Sequence, residues 1–173
     1  KGHRYEDALE VLDETPDSVD ARALRADCLF ALGRIDDARS LVEDVLSASP
    51  DHRNGLLLRA RLAALADDWD SARRDLKRIL EQDPHDYESR YQLAEVYRAT
   101  GETEHYQMHV EMMEKSRALF FRLAALNKEA AERPRDAEVR DELAEVCRRL
   151  GKNEMAEMWE RAADACRASA VSG

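Results

Sequence analysis

His105, Met108, His109 and Met112 stand at i, i+3, i+4 and i+7, so on a helix they share one face. Two histidines four residues apart can hold zinc or copper, and thioether sulfur suits Cu(I), which makes this set a candidate metal site. The plainer reading takes Met112 and Met113 as packing residues and the histidines as half-exposed. It asks for no further ligand and is preferred, so no cofactor is expected. Asp67, Asp68 and Asp70, around Trp69, begin like a calcium loop but lack its glycine and its distal glutamate. They read better as a turn, with Trp69 facing the core and the acids at a helix start. The cysteines, Cys28, Cys147 and Cys166, are scattered and form no CxxC pair. The first two fall on apolar helix faces, as buried thiols do. The chain has no phosphate-binding Gly-x4-Gly-Lys, no His-Glu-x2-His and no Gly-x-Ser-x-Gly. A non-enzymatic role is expected.

The elements that carry these residues are set by proline. Pro16, Pro50, Pro84 and Pro134 are the only four; the first two gaps are 34 residues and the third is 50. Proline cannot continue a helix, so each marks a break. Between breaks the apolar residues recur at helical spacing, as in Ala23, Ala26, Leu29 and Phe30, then Ala38, Leu41, Val42 and Val45. Ala26, Ala60 and Ala94 are 34 apart, as are Ile35 and Trp69, and Gly33, Asp67 and Gly101. Such a fixed period is the mark of a stacked helical repeat.

This pattern resembles the tetratricopeptide repeat, a 34-residue helix–turn–helix with small residues where helices cross and a terminal proline. The resemblance rests on Ala26, Ala60, Ala94 and Ala144 in first helices, and on Ala8, Ala38, Ala72 and Ala156 in second helices. Gly33, Gly101 and Gly151 supply the turns. It implies an all-α, right-handed superhelical stack of antiparallel hairpins. The departures are Asp67 for a turn glycine, Tyr106 for a small crossing residue, and no Trp near the start of the first helices. The Tyr106 change predicts a looser third hairpin. The expected divisions are 1–15, a second helix alone; full repeats at 17–50 and 51–84; a repeat at 85–133; a final hairpin at 135–168; and a disordered tail at 169–173.

The irregular stretch is 102–133, which lacks glycine and proline. It predicts one elongated helix, about 48 Å long, that extends the usual second helix by some 16 residues. A break near Lys115 and Ser116 is the alternative. Leu119, Leu123, Leu126 and Ala130, flanked by Phe120, Ala124 and Ala131, form an apolar band expected to pack on the final hairpin.

In the family, first helices line a concave groove that takes peptides or partner helices. The resemblance places Asp27, Phe30, Asn54, Leu57, Arg61, Leu65, Tyr91, Glu95 and Arg98 in that groove. Leu57, Leu65, Phe30 and Tyr91 would pack against a partner, and Arg61 and Arg98 would pair with its acids or carbonyls. The carboxylate clamp of the chaperone-binding subset is not expected, because Ala23, Asp27 and Arg61 stand where its lysine and asparagines belong.

Charged residues make up 37% of the chain and aromatics 6%, which suits helices and gives a sheet little material. A net charge of −10 disfavours nucleic acid as a partner. The longest apolar runs, 62–66 and 28–32, are too short to span a membrane. The expected function is a scaffold that binds a protein or peptide. One alternative is self-assembly, through the long-helix region or an open N-terminal end, into a homo-oligomer. Another is a regulatory or targeting segment of a larger enzyme or membrane-anchored protein. The scattered cysteines favour a reducing, cytoplasmic setting. The opening at Lys1 in mid-pattern reads as a fragment, with room upstream for an anchor or signal.

Overall fold

The structure is a computed structural model that describes residues 3–171. Nine helices are present among them, with no strand: α1 (His3–Asp13), α2 (Val19–Ala31), α3 (Ile35–Ala48), α4 (Arg53–Leu65), α5 (Trp69–Gln82), α6 (Tyr87–Ala99), α7 (Thr103–Glu132), α8 (Ala137–Arg149) and α9 (Asn153–Val171). The chain divides into two compact units, 1–109 and 110–173, and α7 runs through the boundary as one continuous helix. The alternative break near Lys115 is absent.

Each first helix begins three residues after a proline, with its N-cap two residues after it. Ser18, His52, Asp86 and Asp136 are the N-caps, and their side chains accept a backbone N–H of the first turn. This satisfies a donor that the helix itself leaves unpaired. His52 does so through Nδ1, 3.1 Å from the Gly55 nitrogen, which leaves Nε2 to face Asp20 at 2.9 Å. The turns inside the hairpins are equally regular. Gly33, Gly101 and Gly151 have positive φ, and so does Asp67, at 57°. At all four turns the next residue donates its N–H back into the preceding helix, as Arg34 does to the Leu29 carbonyl at 2.9 Å and Asp68 to Ala63 at 2.9 Å. This is the Schellman bond, so Asp67 holds a glycine's conformation within a glycine's hydrogen-bond pattern.

In the first unit the small residues sit where helices cross: Ala26, Ala38, Ala60, Ala72 and Ala94 are buried. Gly55 serves the same purpose at the α3–α4 contact, where a Cβ would stand 2.9 Å from Val45 Cγ1. Leu56, Leu58, Leu62, Leu76, Ile79 and Leu93 fill the core between them, with Trp69 and Tyr106 packed against its edge. Helices adjacent in sequence from α1 to α6 are neighbours, and α2 also touches α4, which touches α6. The three first helices therefore form one continuous face.

In the second unit Leu126 and Ala130 of α7 pack with Val139, Leu143, Val146 and Leu150, and Leu119, Leu123 and Trp159 close the cluster. Arg122 of α7 makes two 2.6 Å bonds to the Glu142 carboxylate of α8. The apolar band is narrower than expected. Phe120, Ala124 and Ala131 are exposed, because only the Leu119–Ala130 stripe faces the hairpin. Residues 169–171, expected as the start of a disordered tail, continue α9; residues 172 and 173, like Gly2 at the start, lie outside the described residues.

Candidate interaction surface

The face of α2, α4 and α6 carries an ion-pair network that crosses all three helices. Arg61 on α4 reaches Asp27 on α2 at 3.2 Å with one guanidinium nitrogen and Glu88 on α6 with the other. Arg53, one helical turn before Leu57, holds Glu88 at 3.1 Å and grips both oxygens of Asp86 at 2.7 and 3.0 Å. Asn54 joins by accepting from Arg53 at 2.8 Å. The hydrogen bond that Arg53 donates to Asp86 lifts the Arg53 pKa against the effect of burial. Burial alone would raise the Asp86 carboxyl, but bonds from Arg53 and Ser89 outweigh it and hold it below the usual range. The network encloses a small cleft of about 100 Å³ with Ala23, Leu24 and Leu57 on its walls.

Beside the network, large apolar side chains face water. Leu65 is 62% exposed and Tyr91 45%; Leu24 and Tyr87 are exposed as well, and Phe30 is half-buried. Toward the ends of α4 and α6 lies a shallower depression of about 440 Å³. Ala64, Trp69, Val96 and Ala99 provide apolar lining, and Glu95, Arg98 and Gln92 stand with them.

Five of the nine residues assigned to the groove are therefore exposed, namely Asp27, Asn54, Leu65, Tyr91 and Arg98, and Glu95 is half-buried. Phe30 and Arg61 are half-buried. Leu57 is not available. It is 4% exposed and belongs to the core, although Tyr91, 34 residues on, is open to solvent. Arg61 and Arg98 are not free cations either, since Asp27 and Glu88 take the first and Glu95 the second. Sequence reasoning missed Arg53, whose partner Asp86 is the N-cap of the next first helix, 33 residues later, and it missed Leu24 and Tyr87 as exposed apolar residues.

The His105–Met112 set resolves differently. His109 is buried, 6% exposed, not half-exposed as expected, because its ring stacks on Tyr97 at 5.4 Å between centroids. Its Nδ1 lies 3.3 Å from the Arg90 guanidinium, so that nitrogen accepts and the ring is neutral. Desolvation, with Arg90, His105 and Lys77 nearby, lowers its pKa to about 4. His105 stacks on the same tyrosine at 4.8 Å and pairs with Glu102 through Nδ1. Met108 and Met112 are exposed, so Met112 is not the packing residue expected, while Met113 is half-buried. Among the described residues no group of three or more His, Cys, Asp or Glu is arranged to hold a metal.

Asp68 caps α5 through Ser71 at 3.1 Å, and Trp69 packs against the core, as a turn requires. Cys28 and Cys147 are buried, and burial raises both thiols. Among the described residues no helix is long and apolar enough to cross a membrane.

Hairpins in series, with their first helices presenting one laterally open face, define a helical-repeat interaction scaffold. The tetratricopeptide repeat profile matches residues 2–62 and 63–104, more than half of the chain, and the chain belongs to that family. A solved structure of MamA AMB-1 aligns over 94% of this chain and 82% of its own, with 18% identity and a TM-score of 0.54. One of MamA MSR-1 aligns over 97% and 90%, with 16% identity and a TM-score of 0.51. At these identities the likeness is one of fold. No protein with a curated description matches the sequence.

Proposed function

We propose that the chain is a non-enzymatic scaffold whose face of α2, α4 and α6 binds a peptide or partner helix. The observation that carries this reading is the pairing of exposed Leu65 and Tyr91 with a charge network already fixed inside the protein. Apolar side chains open to water supply the favourable area for binding. A network that is fixed in advance needs little reordering when a partner arrives.

The reading is tested by panning a phage-displayed random peptide library on the chain, with a Tyr91→Ala, Leu65→Ser double variant as comparison. Both side chains are exposed, so the variant is expected to keep its helical circular dichroism. Clones that bind the chain and not the variant support the proposal. Clones that bind both equally refute it.

A second reading, self-assembly, is favoured at α1. No residue of α1 is buried, although Ala8 holds the repeat position of Val42 and Leu76, at successive steps of 34 residues, which are covered. Arg4, Tyr5, Ala8 and Cys28 line an open hollow there. Mass that rises with concentration in light scattering, and falls back on Tyr5→Asp, supports this reading; mass that stays monomeric excludes it.

A further inference from the structure

We infer that the partner segment bound on the α2–α4–α6 face is cationic, presenting an arginine or lysine flanked by aliphatic residues. This inference rests on the reading of that face as the binding surface. Every arginine on the face is already neutralised from within: Arg61 by Asp27 and Glu88, Arg53 by Asp86 and Glu88, Arg98 by Glu95. An incoming carboxylate would have to displace one of these partners before it met a free guanidinium. The acids keep unused capacity. Asp27 meets Arg61 through one oxygen and Glu95 meets Arg98 through one, so each has a second oxygen for a cation. Asp20, at the start of α2, is exposed and faces only His52.

The depression near Glu95 fits a long cationic side chain in particular. Its lining of Ala64, Trp69, Val96 and Ala99 suits an aliphatic stem, and Trp69 offers an indole to a guanidinium. Glu95 stands in the same depression to receive the charged head. The last turns of α4 and α6 both reach it, and helix C-termini favour positive charge. The wider field has the same sign. Residues 1–109 hold 24 Asp and Glu against 15 Lys and Arg, whereas 110–173 hold 13 against 12. Nearly all of the net negative charge therefore lies in the unit that carries the face, where it attracts cationic segments and speeds their approach.

The experiment uses the clones that bind the chain and not the Tyr91→Ala, Leu65→Ser variant. Their sequences are expected to be enriched in Arg or Lys next to Leu, Ile or Val. A synthetic peptide of such a sequence is expected to lose about fivefold in affinity against Glu95→Gln, the worth of one exposed charge pair. Its affinity is expected to fall as NaCl rises, and in a Trp159→Phe background its binding is expected to change the Trp69 fluorescence. Acidic or uncharged clones, or affinity indifferent to both Glu95→Gln and salt, overturn the cationic inference and leave the surface reading standing. If no clone distinguishes the chain from the double variant, the surface reading fails and the inference fails with it.

Discussion

His109 makes the stability of the first unit depend on pH in a way that a surface histidine would not. Its ring is buried against Tyr97, and its Nδ1 accepts from Arg90, whose guanidinium also donates to the Pro84 carbonyl. A proton on that ring would set one cation against another in a site shielded from water. The folded pKa is accordingly about 4, against 6.5 for a free histidine. Above pH 6.5 neither state carries the proton, and His109 adds no pH dependence. Between 6.5 and about 4 the unfolded chain binds a proton that the folded chain refuses, so stability falls as pH falls, by roughly 1.4 kcal/mol per pH unit. Below about 4 the folded state takes the proton too, and the slope ends. The accumulated loss is about 3 kcal/mol, large against the 5–15 kcal/mol of a typical domain. The assay is urea denaturation from pH 7 to pH 4 on the chain and on His109→Gln, whose amide can still accept from Arg90 but does not titrate. The carboxylates contribute equally to both, so the difference isolates His109. The stability of the chain relative to that of His109→Gln is expected to fall by about 3 kcal/mol between pH 7 and pH 4, whatever offset the two have at pH 7. Curves that stay parallel, or an NMR titration of His109 with a midpoint near 6.5, refute the reasoning.

Two further substitutions test the packing. Asp67→Gly relieves a non-glycine residue of φ 57°, and after the extra freedom glycine gives the unfolded chain it is expected to stabilise by about 0.5–1 kcal/mol; a lower melting temperature would contradict the turn assignment. Arg59 holds both oxygens of Asp75 at 2.7 and 2.9 Å, and Asp75 is only 3% exposed. Arg59→Ala strands that carboxylate and is expected to cost about 2–3 kcal/mol in chemical denaturation, whereas joint Arg59→Met and Asp75→Leu should recover most of the loss.

The repeat was legible in the sequence because proline, glycine and alanine act locally. A proline ends a helix wherever it stands, and Ala26, Ala60 and Ala94 are small because two helices cross there. The long α7 could be read for the same reason, from the absence of breaks between Glu102 and Arg133. The surface was less legible. Leu57 and Tyr91 occupy one repeat position, yet one is core and the other faces solvent, which depends on the side chains that neighbouring helices bring. Arg61 looks like a free recognition cation in the sequence, and only the three-helix arrangement places Asp27 and Glu88 around it. His109 reads as half-exposed in the sequence because nothing in its own helix announces Tyr97 on α6.

The most direct measurement of the central claim is amide chemical-shift mapping of the chain with a library-selected peptide. The perturbed residues are expected to cluster on α2, α4 and α6, around Leu24, Leu65, Tyr91 and Glu95. Perturbations centred instead on α3 and α5, or on the unit beyond residue 109, would contradict the assignment of the binding face.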